Sequence, residues 1–341
     1  MLSRMKRMVQ PGAGINMKGF LKIAVVFGIV LLSACQGNKN TEEETAVVPE
    51  VKPPVNVPQF NPDSAYIYTA TQVKFGPRIP NTSAHQKCGD YLVAQLKQWC
   101  DTVIEQRAPI TAHDGKVLQM RNIIGSFNPN AGNRIILTAH WDTRPWADQA
   151  SERKDQPFDG ANDGAASTAM LLEAARQMAI ADVKTGVDII LFDLEDYGKS
   201  EIENSYCYGS QYWSRNKHVA GYQARFGILL DMAAGENPTF TKEGTSMQYA
   251  SDVVELVWKA AADAGYGKYF VQDESSGIID DHYYVNRIAG IRCIDIVHYD
   301  YSSPQHFWKH WHTHEDTMDK IDKNSLKAVG QTLLEVIFRH G

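Results

Sequence analysis

The chain has 341 residues, 43% hydrophobic, 22% charged and 10% aromatic, with a formal net charge of −6 at pH 7. That composition excludes a disordered, collagen-like or low-complexity protein and allows a sizeable core. The acidic balance excludes a broad nucleic-acid-binding face, which needs clustered Lys and Arg. Five cysteines without a CxxC pair are too few for a disulfide scaffold.

Residues 1–35 read as a targeting segment. Met17-Lys18-Gly19-Phe20-Leu21-Lys22 is a short basic region, and Met17 is the expected start, because residues 1–16 have no place in such a signal. Ile23 to Leu32 is an apolar run of ten residues, too short to span a bilayer and right for a signal peptide. It ends in Leu32-Ser33-Ala34-Cys35, which resembles a bacterial lipobox, with Cys35 as the lipidated residue. The expectation is an exported protein, lipid-anchored in the cell envelope and facing the periplasm or the cell surface. Residues 36–58 hold Glu42, Glu43 and Glu44, then Pro49, Pro53, Pro54 and Pro58, and read as an extended tether. Residues 59–341 read as one folded domain. Within it Cys88 and Cys100 are twelve residues apart on one predicted helix, about 18 Å, too far for a bridge. Free thiols are expected.

Next come apolar runs alternating with helical patterns. Arg134 to His140, Val187 to Asp193, Phe226 to Asp231 and Ile291 to Val297 read as strands. Their continuous Ile, Leu and Val predict a sheet covered on both faces. Helices are predicted over about 83–99, 164–179, 247–264 and 325–340, the last with Leu326, Val329, Leu333 and Ile337 along one face. The alternation predicts an α/β fold, a three-layer sandwich with a mostly parallel central sheet.

Polar residues gather where the strands end. The first ends in His140-Trp141-Asp142, the second in Asp193-Leu194-Glu195-Asp196, the third at Asp231. Ligands of open α/β sheets bind outside the carboxyl ends of strands, so these groups should converge. To them are added Asp163, at a predicted helix N-terminus, Asp280-Asp281-His282, and His312 in the aromatic run Phe307 to Asp316. His and carboxylates without thiolate suit a catalytic zinc, with three protein ligands and one open position. Singly, each residue has an ordinary explanation: a helix cap, a solvated loop acid, a satisfied histidine. Their conjunction carries the argument.

The order of these pieces resembles the co-catalytic zinc aminopeptidases and, within them, the animal-type glutaminyl cyclases, here in the form of a bacterial lipoprotein. Phe75-Gly76-Pro77-Arg78, Ala139-His140-Trp141-Asp142, Asn162-Asp163-Gly164-Ala165, Phe192 to Asp196, Asp280-Asp281-His282 and Trp311-His312-Thr313 carry the resemblance, from about Phe75 to Asp322. It implies a zinc-aminopeptidase-like fold, with Asp163, Asp196 and His312 as zinc ligands and Glu195 as general base and acid. His140 and Asp231 would hold a second metal in an aminopeptidase, whereas a cyclase keeps one zinc. The family usually has Glu where this chain has Asp196. Asp295 stands about where animal cyclases carry a His.

The resemblance implies a glutaminyl-peptide cyclotransferase that converts N-terminal Gln of peptides to pyroglutamate and releases ammonia. The alternative is a two-metal zinc aminopeptidase, in which Glu195 would take a proton from an attacking water. A noncatalytic receptor would have no need of Glu195. Cyclisation needs an aromatic-walled pocket, for which Trp311 and Phe307 match the cyclases. The family's other pocket Trp is absent from Tyr197-Gly198-Lys199-Ser200-Glu201, and Trp146 is the expected replacement. The catalytic acids would be Asp231 with Asp280 or Asp281. The expected partners are Gln-initiated peptides and a membrane, not nucleic acid.

Overall fold

The computed structural model describes residues 55–341. The predicted signal segment, Cys35 and most of the tether lie outside the described residues. Helix α1 (Pro62–Lys74) starts at Asn61, whose side chain accepts from the N–H groups of Asp63 and Ser64, with Pro62 in the first turn where no N–H is needed. Its buried residues are Ala65, Thr69 and Gln72, too small and polar to mark a helix in the sequence. Helix α2 (Ser83–Trp99) follows as predicted. Cys88, Cys100, Cys207 and Cys293 are free thiols.

Strands β1 (Thr102–Thr111) and β2 (Val117–Phe127) form an antiparallel hairpin whose turn contains Asp114-Gly115, with Gly115 at φ +84°. The sequence reading lacks this pair, because β1 alternates exposed and half-buried residues and carries no apolar run. Then come β3 (Arg134–His140), α3 (Ser167–Ile180), β4 (Gly186–Phe192), α4 (Tyr208–Arg215) and β5 (Gly227–Asp231). The last third adds β6 (Phe240–Lys242), α5 (Gly244–Asp263), β7 (Phe270–Glu274), α6 (Asp281–Tyr284), β8 (Cys293–Val297) and α7 (Lys323–His340). One expectation needs correcting. Asp163 does not open a helix: it lies in an irregular turn, Ala161–Ala166, with φ −107° and ψ 88°, and α3 begins only at Ser167.

The main sheet has the order β1-β2-β4-β3-β5-β8. β4, β3, β5 and β8 are parallel neighbours, and the hairpin adds antiparallel strands at one edge. Alternate residues of the parallel strands bury against different layers. Ile135, Leu137 and Ala139 of β3 join a core with α2, α3, α5 and α7, whereas Ile136 joins Phe192, Trp213 and Val285 on the other face. Two covered faces explain why these strands are predominantly apolar on both sides. The architecture is the expected three-layer α/β sandwich.

Candidate active site

The parallel strands β3, β4 and β5 point their carboxyl ends to one side of the sheet. His140 closes β3 and Asp231 closes β5. After β4 the chain turns at Leu194, whose φ is +58°, and delivers Glu195 and Asp196. Asp142 holds that loop by accepting the N–H groups of Glu195 at 3.1 Å and Asp196 at 3.2 Å. The turn bearing Asp163 is fastened by Asp316, which accepts from Asn162 N–H at 2.7 Å and Asp163 N–H at 3.1 Å. Buried Arg78, from the opening motif, donates to the carbonyls of Asp159 and, at 2.7 Å, Gly160. Gly164 passes so close to β3 that a Cβ there would stand 2.4 Å from His140 Nε2.

Two donor sets result, sharing Asp163. In one, Asp163, Asp196 and His312 offer ligand atoms within 4.8 Å of one another; in the other, His140, Asp163 and Asp231 do so. His312 Nε2 stands 3.1 Å from Asp196 Oδ1 and 3.6 Å from Asp163 Oδ2. His140 Nε2 stands 3.0 Å from Asp163 Oδ1 and 3.2 Å from Asp231 Oδ1. Asp163 Oδ2 and Asp196 Oδ2 are buried without hydrogen-bond partners. Burial opposes a charged imidazole, yet Asp196 and Asp148 raise His312 to about 9. Buried negative charge with orphaned oxygens calls for a cation, and mixed nitrogen and oxygen donors fit zinc.

Glu195 belongs to neither set. Burial first, and the Asp196 charge second, push its carboxyl well above the usual range. Cys207 Sγ donates to its Oε1 at 3.3 Å. Asp280 lines the cavity above these groups and Asp281 does not, which decides between the two adjacent acids. Burial and then Asp231 raise Asp280 to about 6. Asp281 is fully buried and, by burial and the nearby Asp280, pushed well up. Asp295, also fully buried, is pushed up by burial and then by Asp280.

The cavity encloses about 380 Å³ and is lined by Asp163, Glu195, Asp196, Asp231, Asp280 and His312 at its polar end. Trp311 stacks on His312 with ring centroids 4.0 Å apart, and Phe307 packs on Trp311 at 4.6 Å. Both line the cavity. Trp146 does not. It packs edge-on against Tyr197 at 5.5 Å, under the Arg144 guanidinium, in a cluster with Leu118 and Met120. Buried Arg144 draws this loop down by donating to the carbonyls of Asp196 and Gly198. Tyr206, Tyr283 and Tyr284 line the cavity instead. The sequence reading missed those tyrosines, and also Arg144 and Asp148, whose roles rest on contacts with residues distant in the chain.

The sequence profile of peptidase family M28 matches residues 122–337. The chain is 28% identical over 273 residues to a glutaminyl-peptide cyclotransferase of Drosophila melanogaster, covering 72% of each protein. Its fold is similar to that of a Bacteroides thetaiotaomicron glutaminyl cyclase solved with N-acetylhistamine bound, at 51% identity and a TM-score of 0.82, covering 84% of this chain and 100% of that one. A Zn-dependent exopeptidase from Parabacteroides distasonis is similar at 49% identity with the same coverage and a TM-score of 0.82. The chain belongs to peptidase family M28.

Proposed function

We propose that this protein is a zinc-dependent glutaminyl-peptide cyclotransferase, converting the N-terminal Gln of peptides to pyroglutamate with release of ammonia. The observation that carries the reading is the Trp311–Phe307 wall stacked directly on His312, which roofs an otherwise aminopeptidase-like donor set. Sequence similarity to named cyclotransferases and structural similarity to named bacterial glutaminyl cyclases support it.

Asp163, Asp196 and His312 would hold one zinc, and the ion would supply electrophilic polarisation of the side-chain amide carbonyl. The remaining work falls to this chain's residues. The aromatic wall packs the Gln methylenes and holds the side chain folded back toward its own α-amine, converting ring closure into a positioned intramolecular step. The amine nitrogen bonds to the amide carbon. Glu195 accepts the proton that the amine loses and returns it to the departing nitrogen, which leaves as ammonia. Asp231 and Asp280 complete the acid cluster around the amine. Their titrations and that of Glu195 belong to the group rather than to single residues.

A zinc aminopeptidase is the second reading, favoured by the intact His140–Asp163–Asp231 set. Purified protein offered Gln-initiated and Leu-initiated peptides decides between them: ammonia release supports the cyclotransferase, free leucine the peptidase. Two tightly held zincs per chain would also favour the peptidase.

Export and lipid anchoring are proposed on the lipobox-like Leu32-Ser33-Ala34-Cys35. Two acyl chains or more would anchor the protein stably. Cys35→Ser should then leave unprocessed precursor or soluble protein; unaltered membrane fractionation and no acyl label on the wild type would refute the anchor.

A further inference from the structure

Helix α4 starts at a residue that breaks the local rules for a helix start. Cys207 precedes Tyr208 with φ +58° and ψ 35°, in the left-handed region that favours glycine. Its side chain makes no capping hydrogen bond, as Ser, Thr, Asp or Asn would. A side chain kept in such a conformation at no gain to its own helix points to a role elsewhere.

The contacts of Cys207 supply that role. Its N–H donates to the Glu195 carbonyl at 2.8 Å, and the next N–H, of Tyr208, donates to the Leu194 carbonyl at 3.0 Å. Its own carbonyl accepts from Gln211 N–H at 3.0 Å and from Ser210 Oγ at 3.1 Å. The backbone of Cys207 is thus tied both to α4 and to the turn that carries Glu195. The thiol donates to Glu195 Oε1 at 3.3 Å and stands 4.0 Å from Asp280 Oδ1. Glu195 and Asp280 line the cavity, whereas Cys207 is fully buried and does not. Burial, and then the Glu195 charge, hold the thiol well above its usual range, so it stays an S–H donor and is no nucleophile. The other carboxylate oxygen, Glu195 Oε2, stands 4.0 Å from His140 Nδ1, beyond hydrogen-bond reach.

We infer that Cys207 is a positioning residue for the reaction: its S–H occupies Oε1 of Glu195 and leaves Oε2 as the atom that accepts the amine proton and returns it to the departing nitrogen. The inference rests on the cyclotransferase reading. Cys207 acts only through Glu195, and the thiol itself neither gives up its proton nor forms a covalent bond.

The test joins kinetics to infrared spectroscopy. Cys207→Ala should lower kcat for Gln-initiated peptides by about 10-fold, the worth of one hydrogen bond, with KM and zinc content near wild type. Cys207→Ser keeps a donor and should recover kcat to within about 3-fold of wild type. The S–H stretching band of Cys207 is isolated as the difference between wild type and Cys207→Ser. The same band should shift in Glu195→Gln, because a neutral amide accepts more weakly than a carboxylate. A merely structural Cys207 would leave the band where it is, so this readout stands even if Cys207→Ala does not fold. Undiminished kcat in Cys207→Ala, or a band that Glu195→Gln does not move, overturns the inference while leaving the cyclotransferase standing. Absence of ammonia from the wild-type protein overturns the cyclotransferase reading, and the role given to Oε2 falls with it, whatever the band shows.

Discussion

His312 Nδ1 stands 3.1 Å from Asp148 Oδ1, and Arg144 grips the same Asp148 carboxylate with contacts of 3.0 and 2.8 Å. The carboxylate accepts the Nδ1–H, which fixes the ring plane and turns Nε2 toward Asp196 and Asp163. Burial penalises the Asp148 charge, but His312 and Arg144 more than offset this and hold its carboxyl well below the usual range. Arg144 also reaches Asp196 Oδ1 at 3.3 Å, so one guanidinium braces two sides of the donor set.

Asp148→Asn keeps the shape and loses the charge that orients His312. Zinc affinity should fall by about 10- to 100-fold, the usual effect of losing a partner behind a metal-bound histidine. Competition with a chelator of known affinity measures it. Wild-type affinity in the variant would show that His312 needs no such support.

Glu195→Gln retains size and hydrogen bonding but cannot take up the proton. Cyclisation should slow by about 10²- to 10⁴-fold while zinc content stays at the wild-type level. Metal analysis beside single-turnover ammonia release checks both halves. Loss of zinc would make Glu195 a ligand, and near-normal turnover would remove it from the chemistry.

Trp311→Ala opens the wall that stacks on His312. Losing a stacked aromatic of this size should lower kcat/KM for Gln-initiated peptides by about 10-fold or more, with zinc and the thermal transition largely kept. A variant that fails to fold would make Trp311 a core residue instead.

Chelation should abolish ammonia release and lower Tm, and added zinc should restore both, because an ion that binds only the native state stabilises it by mass action. Differential scanning calorimetry with and without chelator reads this. An unchanged Tm and undiminished turnover would count against a resident metal.

Glu243 predicts a pH dependence of stability. Its carboxylate caps α5 by accepting the N–H groups of Thr245 and Ser246, each at 2.7 Å, takes Ile278 N–H at 2.7 Å, and lies 3.1 Å from His282 Nε2. Burial acts against the charge, yet His282 and these donors lower Glu243 from 4.5 to about 2. A depressed folded-state pKa stabilises the protein above the unfolded value, so this contribution is whole above about pH 4.5 and drains away as pH falls toward about 2. The gap corresponds to on the order of 3 kcal/mol. Denaturant unfolding of wild type and Glu243→Gln between about pH 6 and pH 3 should show the two stabilities converging as pH falls. A constant difference would refute the linkage.

The sequence by itself determined the parallel strands and the identity of the donor residues. Ile135 to Ala139 and Val187 to Leu191 are apolar apart from Thr138 and Asp188 because both sheet faces are covered, and that requirement is written locally along each run. His140, Asp163, Glu195, Asp196, Asp231 and His312 were legible because strand ends and short motifs place such groups at one edge of the sheet. Helix α1 and strand β1 escaped because their inward residues are few, small or only half-buried, and β2 escaped because Arg121, Asn122, Gly125 and Ser126 interrupt its buried apolar residues. Only the tertiary structure decided that Asp280 rather than Asp281 lines the cavity. It also decided that Trp146 packs beneath Arg144 and that tyrosines line the cavity in its place. These outcomes depend on side-chain direction and on contacts between segments such as Arg144 and Asp196, Asp148 and His312, or Tyr284 and Asn204. Sequence spacing carries the period of a strand or helix, but not the turn that aims one of two adjacent acids inward, because that direction is set by packing against residues far along the chain.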